Sequence, residues 1–275
     1  MSAKASAIPT QNYKVEQIAV KHLSVVWAQC QRPYNERWAN EIAENFDPDK
    51  FEPIVVTMPN GHGIYHIIEG QHRRSALEKY AQKFGPGAEN EKCPCRVVPE
   101  ADPARAAEIF LGINASRKSV KPIIGFMVAV VAKREPEVQI NRILNKVGYH
   151  LSTTKSDNTV GAVQALKAVF SRHGPKTLEY TLQVLRNLWG SDPQAVASIM
   201  IRGFAIFVHE FSEHIDVKRL KVKVGERFTP WKFKAAAEVR KQSTLERLDE
   251  TIAELLIREY NHGAKEGSKL KRKST

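Results

Sequence analysis

The sequence predicts an α+β fold in two parts: short strands alternate with helices up to residue 122, and an all-helical region follows. Three observations predict it. Brief runs rich in β-branched and aromatic residues, Val15–Val20, Leu23–Trp27, Pro53–Met58, Ile64–Ile68 and Cys95–Val98, read as strands. Apolar residues recurring at spacings of three and four lie between them, as on the buried face of a helix. Beyond Pro122 the helical spacing continues almost without interruption.

Residues 1–13, small and polar, read as a flexible arm. Between Asn35 and Phe46 the residues Trp38, Ala39, Ile42, Ala43 and Phe46 line one helical face, which the Pro48 region ends. Asn60-Gly61 joins two strands as a hairpin, because both residues tolerate positive φ. The chain then passes through Gly70 into a helix whose Ala76, Leu77, Tyr80, Ala81 and Phe84 share a face, closed by Gly85-Pro86-Gly87. A strand at 95–98 and a helix from near Pro103, carrying Ala106, Ala107, Phe110 and Leu111, complete a domain over 14–122. Helices are expected at about 123–134, 137–147, 158–172, 176–189, 193–212 and 243–260, forming a domain over 123–262. Breaks fall at Pro136, Gly148, Gly174-Pro175, Gly190 and Gly225. Nothing recurs at a fixed period. The tail, 263–275, is rich in Gly, Ser and Lys and is expected to be disordered.

A chain of 275 residues with 42% hydrophobic content can bury a sizeable core. Three cysteines do not make a disulfide framework, which fits a reducing compartment and a cytoplasmic protein. Cys93-Pro94-Cys95 lacks the spacing of a structural zinc pair. No apolar run approaches the roughly 20 residues a spanning helix needs, so no membrane partner is expected. The formal charge of +12 points instead to DNA. Most of it lies late in the chain: 216–241 has a net charge of +6 and 262–275 of +4. Lys218, Arg219, Lys221, Lys223, Lys232 and Lys234, interleaved with Trp231 and Phe233, suit phosphate contact with base stacking. Lys271, Arg272 and Lys273 would add nonspecific attraction. The alternative for this stretch is a solvated helix and loop whose aromatics belong to the core.

The chemistry concentrates at Glu69-Gly70-Gln71-His72-Arg73-Arg74. A strand, a glycine and a helix start place unpaired amides and a helix dipole beside guanidinium groups, which together favour an anion. Arg73 can offer planar, paired hydrogen bonds to phosphate. Asn114-Ala115-Ser116-Arg117 falls between two helices, and Arg32 follows an early strand, so both segments can reach the same ligand.

Gly70, Arg73 and Ala76 match the GxxRxxA signature of the ParB/sulfiredoxin-like superfamily, and Asn114-Ala-Ser-Arg117 with Pro122 resembles the second nucleotide-contacting box of ParB proteins. Glu69-Gly-Gln-His-Arg73 also resembles the DGQHR motif of a branch found in DNA-modification and phage proteins. The resemblance covers about 14–130, and the helical remainder is similar to uncharacterised phage-borne relatives. It implies a small mixed sheet with flanking helices, a nucleoside triphosphate (CTP or ATP) with Mg2+, a homodimer, and nucleotide-regulated DNA binding. Gln71 replaces the catalytic cysteine of sulfiredoxin, which argues against thiol chemistry. A helix-turn-helix over 138–147, Gly148 and 160–170 fits only with an overlong polar stretch.

Within this reading Gly70, Gln71, His72, Arg73, Arg74, Asn114, Ser116, Arg117 and Arg32 hold the nucleotide, with Arg73 as the main phosphate clamp. His72 either donates to phosphate or caps the turn. Glu69 either holds Mg2+ and activates water or pairs with a neighbouring arginine. Arg32 either reaches the ligand or forms a surface ion pair. The alternative functions are a magnesium-dependent DNase, an NTPase or phosphotransferase using Glu69, and an interaction protein on a vestigial nucleotide fold.

Overall fold

The computed structural model describes residues 14–25, 31–83, 90–99, 101–115 and 120–272. The chain divides into two compact units, 1–120 and 121–275. In the first, β1 (Lys14–Ala19), β2 (Leu23–Ser24), β3 (Ile54–Thr57), β4 (Tyr65–Glu69) and β5 (Lys92–Val98) make one sheet in the order β1-β5-β3-β4-β2. The sheet is mixed: β1 with β5 and β3 with β4 are antiparallel, whereas β3 with β5 and β2 with β4 are parallel. Helices α1 (Glu36–Glu44), α2 (Gln71–Gln82) and α3 (Pro103–Ala115) flank it, which makes the unit α+β. The expected arm and the strand end Val26–Trp27 lie outside the described residues.

All four residues of the inner strand β3 are buried, and Ile54 and Val56 join Ile18, Val20, Leu23, Ile67, Cys93, Cys95 and Val97 in one apolar core. Cys93 and Cys95, two apart on β5, place their sulfurs 3.8 Å apart within that core. The β3–β4 connection corrects the expected Asn60-Gly61 turn. Asn60 Oδ1 accepts from the His62 and Ile64 amides at 2.9 and 3.0 Å, and the left-handed residue is Gly63, with φ of 72°. The asparagine side chain stands in for a backbone acceptor, so the loop is longer than two residues.

The second unit contains α4 (Pro122–Val131), α5 (Glu137–Val147), α6 (Val163–Trp189), α7 (Ser198–Phe211), α8 (Val217–Leu220), α9 (Pro230–Lys241) and α10 (Leu248–Asn261). Between α5 and α6, β6 (His150–Leu151) pairs in parallel with β7 (Thr159–Val160), so the helix expected from 158 starts at Val163. The two helices expected either side of Gly174-Pro175 are the arms of α6, which breaks at Gly174 (φ 83°, ψ 170°). Between α7 and α10 the approach is so close that a Cβ on Gly203 would stand 2.4 Å from Ile252 Cγ2. No helix among the described residues is long and apolar enough to cross a membrane.

Two further corrections concern the basic C-terminal part. Helix α9 has no place among the helices expected with bounds, although a solvated helix is the alternative for this stretch, and its start follows the rules: the Thr229 hydroxyl accepts from the Lys232 amide at 3.3 Å and Pro230 takes the first position. Residues 263–272, expected as disordered tail, are folded. Leu270 is buried, and the Asn261 side chain bonds its amide and carbonyl, both at 2.8 Å. Arg272 reaches Glu210, Glu250 and Glu254 at 2.9, 3.3 and 2.7 Å. One apolar residue and one multiply paired arginine anchor what composition alone reads as a linker.

Candidate functional site

In the first unit a cavity of about 540 Å3 is lined by the segment Gln31–Arg32, one face of α1, residues 45–51, Glu69 to Arg73, and Phe110 and Asn114 of α3. Its floor is the junction of β4 and α2. Gly70 turns the chain there in the left-handed region, φ 110° and ψ 20°, and no side chain caps the helix that follows. The first amides of α2 therefore have no partner within the helix and carry the positive end of its dipole. Glycine is needed for a second reason. A Cβ at this position would lie 3.2 Å from Arg73 Nη2 and 3.3 Å from Ile54 Cγ2.

Arg73 lies over that glycine and is mostly buried. Its guanidinium bonds the Glu69 carboxylate and the Glu52 carbonyl, with the Pro53 carbonyl at 3.3 Å and the Glu52 carboxylate at 3.6 Å. It thus knits β4 and α2 to the start of β3 at the cavity edge. Glu69 is its counter-ion. No group of three or more His, Cys, Asp or Glu among the described residues could hold a metal. Of the two roles expected for Glu69, the structure shows the ion pair with a neighbouring arginine.

His72 is buried between aromatic rings, with Trp38 at 4.4 Å and Tyr34 at 5.5 Å between centroids. Its Nε2 accepts from the Asn35 amide at 2.9 Å. Burial, and secondarily the Arg32 charge, pushes its pKa down to about 4, so the ring is neutral near pH 7. Asn35 is itself the cap of α1, its side chain accepting from the Trp38 amide at 3.1 Å. His72 therefore fixes the start of α1 and with it the cavity wall.

Arg32 differs from the other cations. Among the described residues its guanidinium meets no carboxylate; it donates to Asn114 Oδ1 and lies 5.4 Å from the centre of the Trp38 ring. By contrast Lys50 pairs with Asp47 at 2.8 Å and Arg73 with Glu69. The segment carrying Arg32 is tied down on both sides. Gln31 Nε2 donates to the Ile67 and Ile68 carbonyls at 2.7 and 2.6 Å, and Gln71 Nε2 donates to the Arg32 carbonyl.

Of the residues singled out from sequence, the structure brings Arg32, Glu69, Gly70, Gln71, His72, Arg73 and Asn114 to this one cavity. Arg74 is elsewhere: it pairs with Glu78 at 2.6 Å and lines a smaller cavity of about 440 Å3 with Ser24, Pro33 and Tyr34. Ser116, Arg117 and Lys273 lie outside the described residues. The apolar lining from Trp38, Ile42, Phe46, Phe51 and Phe110 was not singled out as a site. Sequence spacing placed Trp38, Ile42 and Phe46 on a core-facing stripe, but the tightly buried residues of α1 are Ala39 and Ala43. Large side chains flanking that alanine pair were the available signal.

The basic residues of the second unit divide sharply. Lys218, Lys221, Lys223 and Lys232 have no ion-pair partner among the described residues, and all but Lys223 are well exposed. Arg219 instead donates to the Tyr260 and His262 carbonyls at 2.8 and 3.1 Å, capping the end of α10. Lys234 pairs with Glu238 at 3.1 Å, Lys271 with Glu266 at 2.7 Å, and Arg272 with its three glutamates.

No family model matches the chain, and no curated protein matches it. One solved structure to which the chain is similar is the C-terminally truncated chromosome-partitioning protein ParB from Caulobacter crescentus complexed with CTP-gamma-S. The alignment covers 90% of this chain and 98% of that one, at 12% identity and a TM-score of 0.29, a level of likeness that assigns no function.

Proposed function

We propose that the first unit binds a nucleoside triphosphate, CTP or ATP, and that the basic surface of the second unit contacts DNA, making this a nucleotide-regulated DNA-binding protein of ParB-like type. The observation that carries the reading is the uncapped start of α2 opening on a cavity whose Arg32 guanidinium faces no carboxylate. Amide hydrogens and an unneutralised guanidinium are donors waiting for an oxyanion. A cavity of about 540 Å3 with Trp38, Phe46, Phe51 and Phe110 in its lining suits a planar base attached to that anion. In this reading Arg32 and the α2 amides hold the phosphates, while Arg73 and His72 hold the walls. The exposed, unpaired Lys218, Lys221 and Lys232 supply nonspecific phosphate contacts on DNA.

The test is calorimetric titration of the full chain with each of the four ribonucleoside triphosphates, with and without duplex DNA. One or more should bind, and Arg32→Ala should weaken binding by about tenfold to a hundredfold, the effect of removing a charged donor. Equal affinity in the variant, or no binding of any triphosphate, overturns the assignment. Joint replacement of Lys218 and Lys221 by Glu should lower DNA affinity and reduce its salt slope by about 2.

A further inference from the structure

A second polar cavity, of about 530 Å3, lies wholly inside the helical unit. It is lined by the end of the first arm of α6 (Ser171, Arg172, His173), the middle of α7 (Arg202, Ile206) and the start of α10 (Arg247, Asp249). Three guanidinium groups thus converge on a lining with a single carboxylate. That carboxylate is already engaged: Asp249, itself buried, takes two hydrogen bonds from Arg247 at 3.1 and 2.8 Å.

What remains for the other two arginines is little. Arg202 shares Asp249 as a long ion pair, with its Nε 3.7 Å from the carboxylate, and this buried donor has no hydrogen-bond partner. Arg172 has no ion pair among the described residues; the pKa of His173 is lowered by burial, then by the His209 and Arg172 charges, against a smaller opposing effect of Glu250. The nearest further acid, Glu250, is held by Arg272 at 3.3 Å. His173 packs against His209 with ring centres 4.5 Å apart and planes tilted by 46°, and its buried Nδ1 is also without a hydrogen-bond partner. A buried N–H with no hydrogen-bond acceptor, beside three guanidinium groups that share one carboxylate, is a costly arrangement that an anion would relieve.

We propose that this cavity is an oxyanion site that takes a phosphate group, held by Arg172, Arg202 and Arg247 with a contact from His173. Asp249 orients Arg247 and sets the side from which the anion enters. Arginine suits this role because its planar fork matches two phosphate oxygens at once. The phosphate comes either free in solution or as part of a DNA backbone, two sources that share one chemistry. The site is independent of the nucleotide reading of the first unit.

The experiment follows histidine ring signals by NMR in the full chain during titration with inorganic phosphate, at ionic strength held constant with chloride. His173 and His209 report this cavity, and His72 reports the first unit, so failure of either assignment is seen separately. Saturable shifts of His173 and His209 are expected, weakened at least fivefold in Arg172→Ala and in Arg202→Gln. A parallel titration with a short duplex identifies the source: the same loss in both variants assigns the phosphate to DNA, and loss with inorganic phosphate alone assigns it to a free ion. Non-saturable shifts with both ligands, or equal affinity in both variants, overturn the site.

Discussion

The two cavities treat their arginines in opposite ways. In the lining of the first cavity Arg73 is bound to Glu69 and to backbone carbonyls and Lys50 to Asp47, whereas Arg32 meets no carboxylate among the described residues. In the second, one aspartate shares its charge between two of three arginines, Arg247 at 2.8 Å and Arg202 at 3.7 Å. The first cavity therefore offers one guanidinium charge together with a helix start, and the second offers clustered charge with little else. A formal charge of +12 says nothing of this distribution. Positive charge is available to a ligand only where the fold has placed no acid beside it.

The largest expected effect tests the rigidity of the second cavity. Gly203→Ala forces a Cβ to within 2.4 Å of Ile252 and 3.0 Å of the Asp249 carbonyl, between α7 and α10, whose residues line that cavity. It should cost about 3 kcal/mol in urea unfolding, as overpacking does. An unchanged midpoint would mean that the two helices are not in contact.

Next in size is the contrast within the first cavity. Arg73→Ala leaves Glu69 without its counter-ion and should cost about 2 kcal/mol of stability. Arg32→Ala should cost under about 1 kcal/mol while weakening the triphosphate. Equal stability losses would erase the distinction between the arginine that builds the wall and the one that faces the ligand.

The smallest effect is on pH dependence. The neutral form of His72 is favoured in the folded chain, with a pKa of about 4 against the usual 6.5 of histidine. The unfolded chain therefore binds more protons between these values, so this contribution is intact above pH 6.5 and is lost as pH falls towards 4. With allowance for solvent screening the loss is of the order of 1 to 2 kcal/mol. Chemical denaturation of wild type and His72→Gln across that range should show a shallower slope in the variant; parallel curves would remove His72 as the cause.

Much of the fold was legible because its signals are local. The β3–β4 hairpin, the glycine before α2 and the helical spacing of α5 and α10 each follow from a few adjacent residues. The parallel pairings of β2 with β4 and β3 with β5 join distant segments and leave no local trace. The bounds of α9 are hard to read because its closely spaced lysines and alanines blur the apolar spacing, and only Thr229-Pro230 marks its start. At the candidate site the motif residues were legible as a group, but their division of labour was not. Whether an arginine meets a carboxylate depends on Glu69, four residues from Arg73, and equally on where the chain returns with Glu52, Pro53 and Asn114.

Gln31 shows how such a division is held in place. By bridging two successive carbonyls of β4 with one amide nitrogen, it locks the loop bearing Arg32 to the strand that delivers Gly70. The guanidinium and the helix mouth are thereby set at a fixed separation before anything arrives. An anion bound as proposed would meet receptors already aligned, and little of its binding energy would be diverted to ordering the protein.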